Sequence, residues 1–324
     1  MLILNENDMK KTIRYEQVMD TVEDAYRIFQ SGNFFMPHRP VISHGKNTLL
    51  YMPCFMDGCF GTKFLTLFPE NPGKGHPFID GLMLFNDQKT GKTLAILDAK
   101  FLTALRTGAA GGVGIRYFSR PDNKSVGIIG AGHQGFFQAI YASAARNIKD
   151  IYLFDTCKKD FETYTENLRK ELQVSAPNIH ICKSVEELLE NSEIVITATP
   201  ATSPVVPDNP DLLRGKCFIA IGSYKQEMRE LPNAIWGLVD HVYTELPFAM
   251  EESGDLSQPL ADGLLKKAQV KFIGEWLSQE QRPLPQAGET SYFKSVGMGL
   301  LDLTVAQLIY NEALKLKIGQ RVDF

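Results

Sequence analysis

The sequence predicts an α/β protein in which one domain is a doubly wound parallel sheet and the other is a smaller α+β domain. Three observations predict it. Short β-like runs fill the first hundred residues, apolar strands alternate with helical stretches after about residue 119, and a glycine-rich turn follows the first of those strands. The length of 324 residues is enough for two domains of ordinary size.

The N-terminal part begins with a helix, because Val18, Val22, Ala25 and Phe29 recur at helical spacing and Gly32 follows where a helix can end. Between residues 40 and 100, turn signals separate β-like runs. This pattern predicts a mostly antiparallel sheet. Its strands are expected in the runs TLLYMP, GTKFLTLF, DGLMLFND and TLAILD.

A small-residue segment from Leu105 to Tyr117 leads into Ser119–Asn123, whose proline and turn formers predict a domain boundary. Beyond it the strands SVGIIG, IYLFD, EIVITATP and CFIAIGS alternate with helical stretches, as in a parallel sheet built from βαβ units. The apolar stretch from Val296 to Lys315 predicts a buried helix that returns to the first domain. The predicted domains are therefore 1–118 with 296–324, and 119–295.

Composition restricts the class of partner. Hydrophobic residues make up 44% and charged residues 22%, and the net charge of -4 leaves no basic surface for nucleic acid or anionic lipid. The N-terminal residues MLILNENDMKK lack the apolar core of a signal peptide, and no run approaches the roughly 20 apolar residues of a membrane span. We therefore expect a cytoplasmic protein whose partners are small molecules.

The cysteines and histidines indicate neither a disulfide framework nor a metal site. Five cysteines at irregular spacing predict reduced thiols, with pairing of Cys54 and Cys59 as the alternative. Six histidines form no HExxH pattern, and none accompanies a CxxC. A GxSxG nucleophile elbow is also missing from the sequence.

The strongest chemical motif is a GxGxxG loop that follows the strand SVGII and opens a helix. Its glycines permit a tight turn close to a pyrophosphate, and the helix N-terminus presents N–H groups to the anion. In this context the motif is typical of a Rossmann-type dinucleotide site rather than of a glycine turn without a ligand. The expected cofactor-binding residues are Gly130, Ala131, Gly132, His133, Gln134 and Gly135.

Asp155 ends the second strand, twenty residues beyond Gly135, where a dinucleotide fold places the carboxylate that binds the ribose hydroxyls. Its charge would repel a 2'-phosphate, although Lys158 and Lys159 follow closely. We therefore expect NAD(H) to be favoured over NADP(H). The alternative role for Asp155 is a helix N-cap.

Two further segments follow presumed parallel strands, at the carboxyl ends where open α/β sheets bind ligands. The alternative for either segment is an ordinary loop. From them we expect cofactor contacts by Thr197, Thr199, Gly222 and Ser223.

Three further stretches, taken with the glycine loop, make the sequence resemble the ornithine cyclodeaminase and mu-crystallin family over nearly its whole length. They are GTK running to PENPGKGHP, TGKTLAILDAKFLTALRTGAAGG, and FKSVG with an aspartate five residues later. The resemblance implies a Rossmann domain, a substrate-binding and dimerisation domain, a homodimer, and NAD(P)-dependent chemistry at an amino acid α-carbon. Members include cyclodeaminases, archaeal-type alanine dehydrogenases, ketimine reductases and mu-crystallin.

The resemblance also implies roles for individual residues. Arg39 matches the arginine that binds the substrate carboxylate, with a surface ion pair as the alternative. Lys63 matches the lysine that binds the carboxylate or relays a proton, whereas strand lysines ordinarily reach solvent. Arg106 and Thr107 match the pair near the cofactor phosphates. Ser295 and Val296 match the segment beside the nicotinamide and substrate, with a helix cap as the alternative for Ser295.

One departure concerns the chemistry directly. Cyclodeaminases carry an aspartate in a pattern like GxDxPGKxEL, which acts as acid or base on the substrate amine. This sequence places Tyr224 there, and Met228 replaces the lysine of the pattern. Tyrosine is a poor base at neutral pH but can donate a proton or orient a ligand, so Tyr224 is kept as a candidate catalytic residue. Phe78 likewise replaces a threonine of the pattern.

Three functions fit these observations. The first is an NAD(H)-dependent imine reductase or amino acid dehydrogenase, for example one that converts pyrroline-2-carboxylate to proline. The second is an ornithine or lysine cyclodeaminase with catalytic NAD, in which Lys63 or Glu227 replaces the missing aspartate. The third is a mu-crystallin-like ligand-binding protein, which the joint presence of Arg39, Lys63 and Arg106 disfavours.

Overall fold

A computed structural model of the chain describes residues 1–158, 160–172 and 177–323, apart from the side chain of Pro72. Its contacts divide the chain into two compact units. Unit 1 comprises Met1–Arg106 and Gly297–Phe324, and unit 2 comprises Thr107–Val296. The first division falls inside a helix rather than at a turn. The predicted domain boundaries at 118/119 and 295/296 stay predictions.

The strands and α-helices of the described residues have the following bounds. The strands are β1 (Leu2–Leu4), β2 (Phe34–Phe35), β3 (Val41–His44), β4 (Asn47–Met56), β5 (Cys59–Leu67), β6 (Ile79–Asp87), β7 (Thr93–Asp98), β8 (Ser125–Ile129), β9 (Asp150–Phe154), β10 (Asn178–Ile181), β11 (Ile194–Thr197), β12 (Cys217–Ala220), β13 (Val242–Thr244), β14 (Val270–Phe272), β15 (Ser291–Lys294) and β16 (Gln320–Arg321). The α-helices are α1 (Glu6–Lys10), α2 (Tyr15–Ser31), α3 (Ala99–Phe118), α4 (His133–Ala145), α5 (Phe161–Leu172), α6 (Val185–Asn191), α7 (Pro210–Leu213), α8 (Ala249–Glu252), α9 (Gly254–Ala261), α10 (Ile273–Leu277) and α11 (Gly299–Leu316).

Unit 1 is built on a sheet of order β16-β1-β7-β6-β5-β4-β2, with β3 paired to β4. All of its pairs are antiparallel except β1 with β7, so the predicted antiparallel sheet is confirmed. Helix α2 buries Val18 and Val22 and ends at Gly32, whose φ of 74° suits glycine. Helix α11 packs against α2 and against strands β4 to β6, as expected of a buried C-terminal helix.

Unit 2 is an all-parallel sheet of order β10-β9-β8-β11-β12-β15-β13-β14. The chain moves outward from β8 in one direction through β9 and β10, and in the other through β11 and β12. This reversal of strand order next to β8 is the doubly wound arrangement, which confirms the predicted fold class. The carboxyl ends of β8 and β11 therefore border the position where such sheets bind ligands.

Helix α3 contains the small-residue segment that the sequence had indicated only as the approach to a boundary. Gly108, Gly111 and Gly114 recur every three residues on one side of it. A methyl group on them would overlap the Tyr141 ring, the Gln138 side chain and the Phe293 ring respectively. The small residues of this segment therefore let the helix pack closely against its neighbours in unit 2.

The structure also bears on disulfide bonds, metal sites and membrane spans. All five cysteines are free thiols, so pairing of Cys54 with Cys59 is wrong. Burial raises the pKa of each of these two thiols to about 12, which keeps them protonated. Within the described residues there is no group of three or more His, Cys, Asp or Glu that could hold a metal ion. A search of the same part of the chain finds no helix long and apolar enough to cross a membrane.

Candidate functional site

The glycine loop joins β8 to α4 and leaves room for a ligand. Gly130 has a φ of 101°, and a methyl group there would lie 2.6 Å from the Ala198 carbonyl oxygen. A methyl group on Gly135 would overlap the carbonyl oxygen of Gly130, whereas one on Gly132 would meet no atom within 4 Å. The first and third glycines are therefore required by packing, and the second faces open space.

The N-terminus of α4 offers the surroundings that a pyrophosphate needs. Gly132 is the extended N-cap residue, and as a glycine it has no side chain with which to cap this end of the helix. The Gln134 Oε1 atom is buried in the first turn without a hydrogen-bond partner in the same part of the chain. An uncapped helix end beside open space fits an anionic dinucleotide, so the residues present fit NAD(H).

Asp155 directly follows β9 and fixes the glycine loop. Its Oδ2 accepts a hydrogen bond from the Ala131 N–H at 2.8 Å, and its Oδ1 accepts from the N–H groups of Cys157 and Lys158 at 2.8 and 2.9 Å. The alternative role as a helix N-cap is wrong, because α5 begins at Phe161 and it is Asp160 that accepts from an amide of its first turn. Lys159 lies outside the described residues.

Thr107 opens unit 2 within α3. Its carbonyl oxygen accepts a hydrogen bond from Gln138 Nε2 at 3.0 Å. Its hydroxyl is buried, and none of the residues that the structure describes supplies it with a hydrogen-bond partner. A buried hydroxyl without a partner is the state expected of a group that binds a ligand.

The four predicted cofactor residues at the ends of β11 and β12 share one hydrogen-bond partner, Glu230, which the sequence did not single out. Glu230 Oε1 accepts from the Thr199 N–H at 2.7 Å and from its hydroxyl at 2.8 Å. Glu230 Oε2 accepts from the Thr197 hydroxyl at 2.9 Å and from the N–H groups of Gly222 and Ser223 at 2.7 and 3.3 Å. These residues form one hydrogen-bonded assembly at the end of the sheet.

Ser295 and Val296 follow β15 and are held by a second buried carboxylate. Glu245 accepts from the Ser295 hydroxyl at 2.8 Å and from the Val296 N–H at 2.9 Å. The alternative of Ser295 as a helix cap is wrong, since the N-cap of α11 is Met298. Glu245 was missed because its partners lie about fifty residues away in the sequence.

In unit 1, a cluster of three buried charged side chains joins three elements. Lys63 on β5 donates from Nζ to Oδ1 of Asp302 on α11 at 2.7 Å. Arg106 on α3 donates from Nε to the same oxygen at 3.0 Å. The side chains of Lys63 and Asp302 are 0% exposed, so the expectation that a strand lysine reaches solvent is wrong here.

Asp302 was quoted in the family motif but not predicted as a site residue. The sequence could have indicated it, because Asp302 is the only charged residue between Gly299 and Ile309 of a mostly apolar helix. A charged residue in such a stretch is typically paired when it is buried. Gly297 lies against the Arg106 side chain of this cluster. It has a φ of 71°, and a methyl group there would overlap the Arg106 guanidinium.

The electrostatics of the cluster bring Lys63 close to neutrality. Burial lowers the pKa of Lys63, the nearby Arg106 and Arg39 act in the same direction, and Asp302 acts in the opposite one, so that together they bring the pKa to about 7. At such a pKa both the ammonium and the free amine are populated near neutral pH. Lys63 can therefore donate or accept a proton.

The loop after β12 contains the departures from the cyclodeaminase pattern. Tyr224 is half-buried, and the Lys225 ammonium lies 5.9 Å from the centre of its ring. Met228 is buried, whereas Glu227 is exposed. The catalytic role of Tyr224 stays a prediction. Phe78, just before β6, is also exposed.

Comparison with known proteins gives consistent matches along the chain. The profile of the ornithine cyclodeaminase/mu-crystallin family matches residues 1–317. A Delta(1)-pyrroline-2-carboxylate reductase of Bacillus cereus is 30% identical over 332 residues, an alignment that covers all of both chains.

Two solved structures extend the similarity to three dimensions. The Thermococcus litoralis Delta(1)-pyrroline-2-carboxylate reductase, in complex with NADH and L-proline, has a TM-score of 0.91 and 32% identity, covering 99% of this chain and 100% of that one. An archaeal alanine dehydrogenase dimer with bound NAD has a TM-score of 0.89 and 27% identity, covering 100% and 99%.

Proposed function

Because the chain belongs to the ornithine cyclodeaminase/mu-crystallin family, we propose that it is an NAD(H)-dependent oxidoreductase acting on the Cα–N bond of a small amino or imino acid. The substrate that we favour is a cyclic imine such as pyrroline-2-carboxylate, which would be reduced to proline. The observation that carries the proposal is the buried Lys63–Asp302–Arg106 cluster, because it holds a lysine with a pKa of about 7.

The proposal assigns a separate task to each of the site residues. When bound, NAD(H) supplies a hydride to the α-carbon or accepts one from it. The open N-terminus of α4 at Gly132 would hold the pyrophosphate. The guanidinium of Arg39 would bind the substrate carboxylate, and the hydroxyl of Tyr224 would orient the substrate.

Lys63 would move the proton at the substrate nitrogen. In the direction of reduction its ammonium donates a proton to the imine nitrogen, and in the direction of oxidation its free amine accepts one. Asp302 holds the Lys63 Nζ at 2.7 Å and offsets part of the unfavourable effect of burial on the ammonium. The pair therefore keeps both protonation states accessible near neutral pH.

Asp155 is the basis for proposing NAD(H) over NADP(H). Its carboxylate is bonded to the Ala131 amide of the glycine loop, so a negative charge sits beside the start of that loop. A 2'-phosphate would be repelled by this charge. The ratio of kcat/KM for NADH to kcat/KM for NADPH should exceed one, and a ratio below one would contradict the preference.

Reduction is preferred over cyclodeamination because the loop after β12 lacks the family aspartate. Tyr224 occupies that position, and the nearby Glu227 is exposed. A tyrosine with a reference pKa near 10 is a poor base at neutral pH. Cyclodeamination of ornithine and ligand binding without turnover are therefore outcomes to be distinguished by the test.

A homodimer is the assembly that we propose. Strand β3 exposes apolar side chains on both of its faces, since the neighbours Val41 and Ile42 are 58% and 53% exposed. Phe35 on β2 and Leu82 on β6 add further exposed apolar surface to the same sheet, at 64% and 48%. Exposed apolar area of this kind is typical of an interface between protein chains.

The test supplies purified protein either with NADH and pyrroline-2-carboxylate or with catalytic NAD and ornithine. We expect loss of nicotinamide absorbance with the imine and no release of ammonia from ornithine. Ammonia and proline formed without net change in NADH would establish the cyclodeaminase instead. NADH binding without turnover of either substrate would favour the ligand-binding protein.

A further inference from the structure

Glu230 is a fully buried carboxylate that no step of the proposed reaction uses. It is 0% exposed and accepts five hydrogen bonds from four residues. Burial raises its pKa, while Lys294 and the donors on Thr199 act in the opposite direction. The hydrogen bonds that Glu230 accepts offset the free-energy cost of burying its carboxylate.

The donors come from two segments at the ends of the neighbouring strands β11 and β12. Thr197 and Thr199 end and follow β11, whereas Gly222 and Ser223 follow β12. The first of these segments lies directly against the glycine loop. The Ala198 N–H donates to the Ile129 carbonyl at 2.9 Å, and a methyl group on Gly130 would lie 2.6 Å from the Ala198 carbonyl oxygen.

The backbone of Glu230 is held by a second buried acid, Asp255. Asp255 accepts from the N–H groups of Glu230 and Leu231 at 2.7 and 3.1 Å. Its other oxygen lies 3.2 Å from the Nζ of Lys294, the last residue of β15, and both of these side chains are 0% exposed. The carboxylate therefore cannot move without disturbing a buried charged network that reaches a third strand.

The position of these segments in the sheet indicates which part of a dinucleotide they serve. A doubly wound sheet consists of two mononucleotide-binding halves that meet where the strand order reverses. Here β9 and Asp155 lie on one side of β8, and β11 and β12 lie on the other. Asp155 is placed for the adenosine half, so the segments held by Glu230 lie in the half that takes the nicotinamide nucleotide.

We propose that Glu230 is a positioning residue for the nicotinamide half of the cofactor, acting through the loops after β11 and β12 that its five hydrogen bonds hold together. This inference rests on the proposed NAD(H)-dependent function. Glu230 shapes the surface on which the nicotinamide nucleotide rests and leaves the adenosine half untouched. Because these bonds occupy the hydroxyls of Thr197 and Thr199, those two side chains contribute mainly through the shape of the loops.

The test compares binding of NADH with binding of ADP-ribose, which has the adenosine half and the pyrophosphate but no nicotinamide. Calorimetric titration of Glu230→Gln should show NADH affinity reduced by about tenfold, while ADP-ribose affinity stays within about twofold of the wild type. The amide group of glutamine keeps the size of the side chain but turns one acceptor into a donor that faces existing donors.

Glu193→Gln is the matched control. Glu193 accepts from the N–H groups of Lys124 and Ser125 and from the Asn123 amide, and so joins the starts of β8 and β11 at the opposite end of the same sheet. This variant should bind both ligands as the wild type does, whatever its thermal stability. If Glu230→Gln fails to fold, Thr199→Val removes one hydroxyl donor to Glu230 and should weaken NADH binding alone by about threefold.

The outcomes separate this inference from the function on which it rests. Wild-type protein that fails to bind NADH would overturn the proposed function. If the wild type binds NADH and Glu230→Gln binds it equally well, the role of Glu230 is wrong. Equal loss of NADH and ADP-ribose affinity would also overturn it, because it would make Glu230 a general structural residue.

Discussion

The environment of Lys63 depends on its buried partner Asp302 more than on the usual preference of lysine for solvent. On a strand of this sequence it would ordinarily reach solvent, yet it is 0% exposed beside Asp302 and Arg106. Family resemblance predicted its role, but the sequence could not reveal its partner, because Asp302 lies 239 residues away. Glu245 was missed for the same reason, since its partners lie 50 and 51 residues away. Glu230 was missed because its bonds to Thr197 and Thr199 span 33 and 31 residues, although Gly222 and Ser223 are near in sequence.

The first prediction concerns the pH dependence of reduction. Because the Lys63 ammonium is the proton donor, kcat/KM for imine reduction should fall as pH rises through about 7. Asp302→Asn removes the charge that favours the ammonium, so this fall in kcat/KM should begin about one pH unit lower, and kcat/KM at pH 7 should drop about fivefold, as expected when the ammonium fraction falls from about one half to about one tenth.

Profiles of kcat/KM against pH for the wild type and Asp302→Asn check this prediction. Glu312→Gln, which removes the partner of the exposed Lys315 on the same helix, should leave the limb in place. An Asp302→Asn profile that coincides with the wild type would show that Asp302 does not control Lys63.

The second prediction concerns stability. The folded-state pKa of Lys63 is lowered from 10.5 to about 7, so the unfolded chain binds more protons between these pH values. The Lys63 contribution to the free energy of unfolding should therefore increase as pH rises through this window. Relative to Lys63→Met, the wild type should gain up to about 1.4 kcal/mol per pH unit.

Urea unfolding of the wild type and Lys63→Met at several pH values between 7 and 10 provides the measurement. Lys315→Met is the control, because Lys315 is mostly exposed and its replacement removes a lysine without touching the buried cluster. A difference between the wild type and Lys63→Met that does not change between pH 7 and pH 10 would contradict the lowered pKa of Lys63.

At the scale of elements, the alternation of strands and helices in unit 2 and the antiparallel runs of unit 1 were predictable from periodicity and turn residues. The stretch from Leu105 to Tyr117 was not recognised as helix, because its glycines lower helix propensity. They are explained by packing, since the Tyr141, Gln138 and Phe293 side chains occupy the space that larger side chains on the helix would need. Tertiary contacts therefore outweighed local preference there.

The third prediction separates the two functions of the glycine loop. Gly132→Ala should leave thermal stability almost unchanged, because the added methyl group meets no atom within 4 Å and the backbone φ of -87° suits alanine. The methyl group would enter the space proposed for the pyrophosphate. NADH affinity should therefore fall by about tenfold or more.

Calorimetric titration with NADH and thermal unfolding test this variant together. Gly237→Ala places a methyl group in equally open space away from the loop, so it should bind NADH normally. Gly135→Ala should instead lose stability, because its methyl group would overlap the Gly130 carbonyl oxygen. Unchanged NADH affinity in Gly132→Ala would place the pyrophosphate elsewhere.

At the scale of the whole molecule, the fold class and the family were accessible from the sequence, because long periodic segments and ordered motifs carry both. The exposed apolar side chains were not, since exposure depends on which strands lie at the edge of a sheet. Strand β3 pairs only with β4 among the described strands and leaves Val41 and Ile42 uncovered. In the proposed dimer these apolar side chains would be buried between the two chains.

The fourth prediction tests that dimer. Ile42→Lys places a charge in the exposed apolar surface of β3, so the particle mass measured by light scattering should fall from twice the chain mass to that of one chain. Leu316→Lys changes an equally exposed apolar residue at the end of α11 and should leave the dimer intact. A monomeric wild type, or an Ile42→Lys variant that stays dimeric, would contradict the proposed interface.

The proposed imine reduction is tested by the molar ratio of proline formed to NADH consumed when the purified protein receives pyrroline-2-carboxylate. An imine reductase that uses Lys63 to move the proton gives a ratio of one, and Lys63→Met retains NADH binding but loses nearly all turnover. A wild type that consumes no NADH with this imine would contradict the proposed reduction, and a Lys63→Met variant that turns it over at the wild-type rate would contradict the role of Lys63.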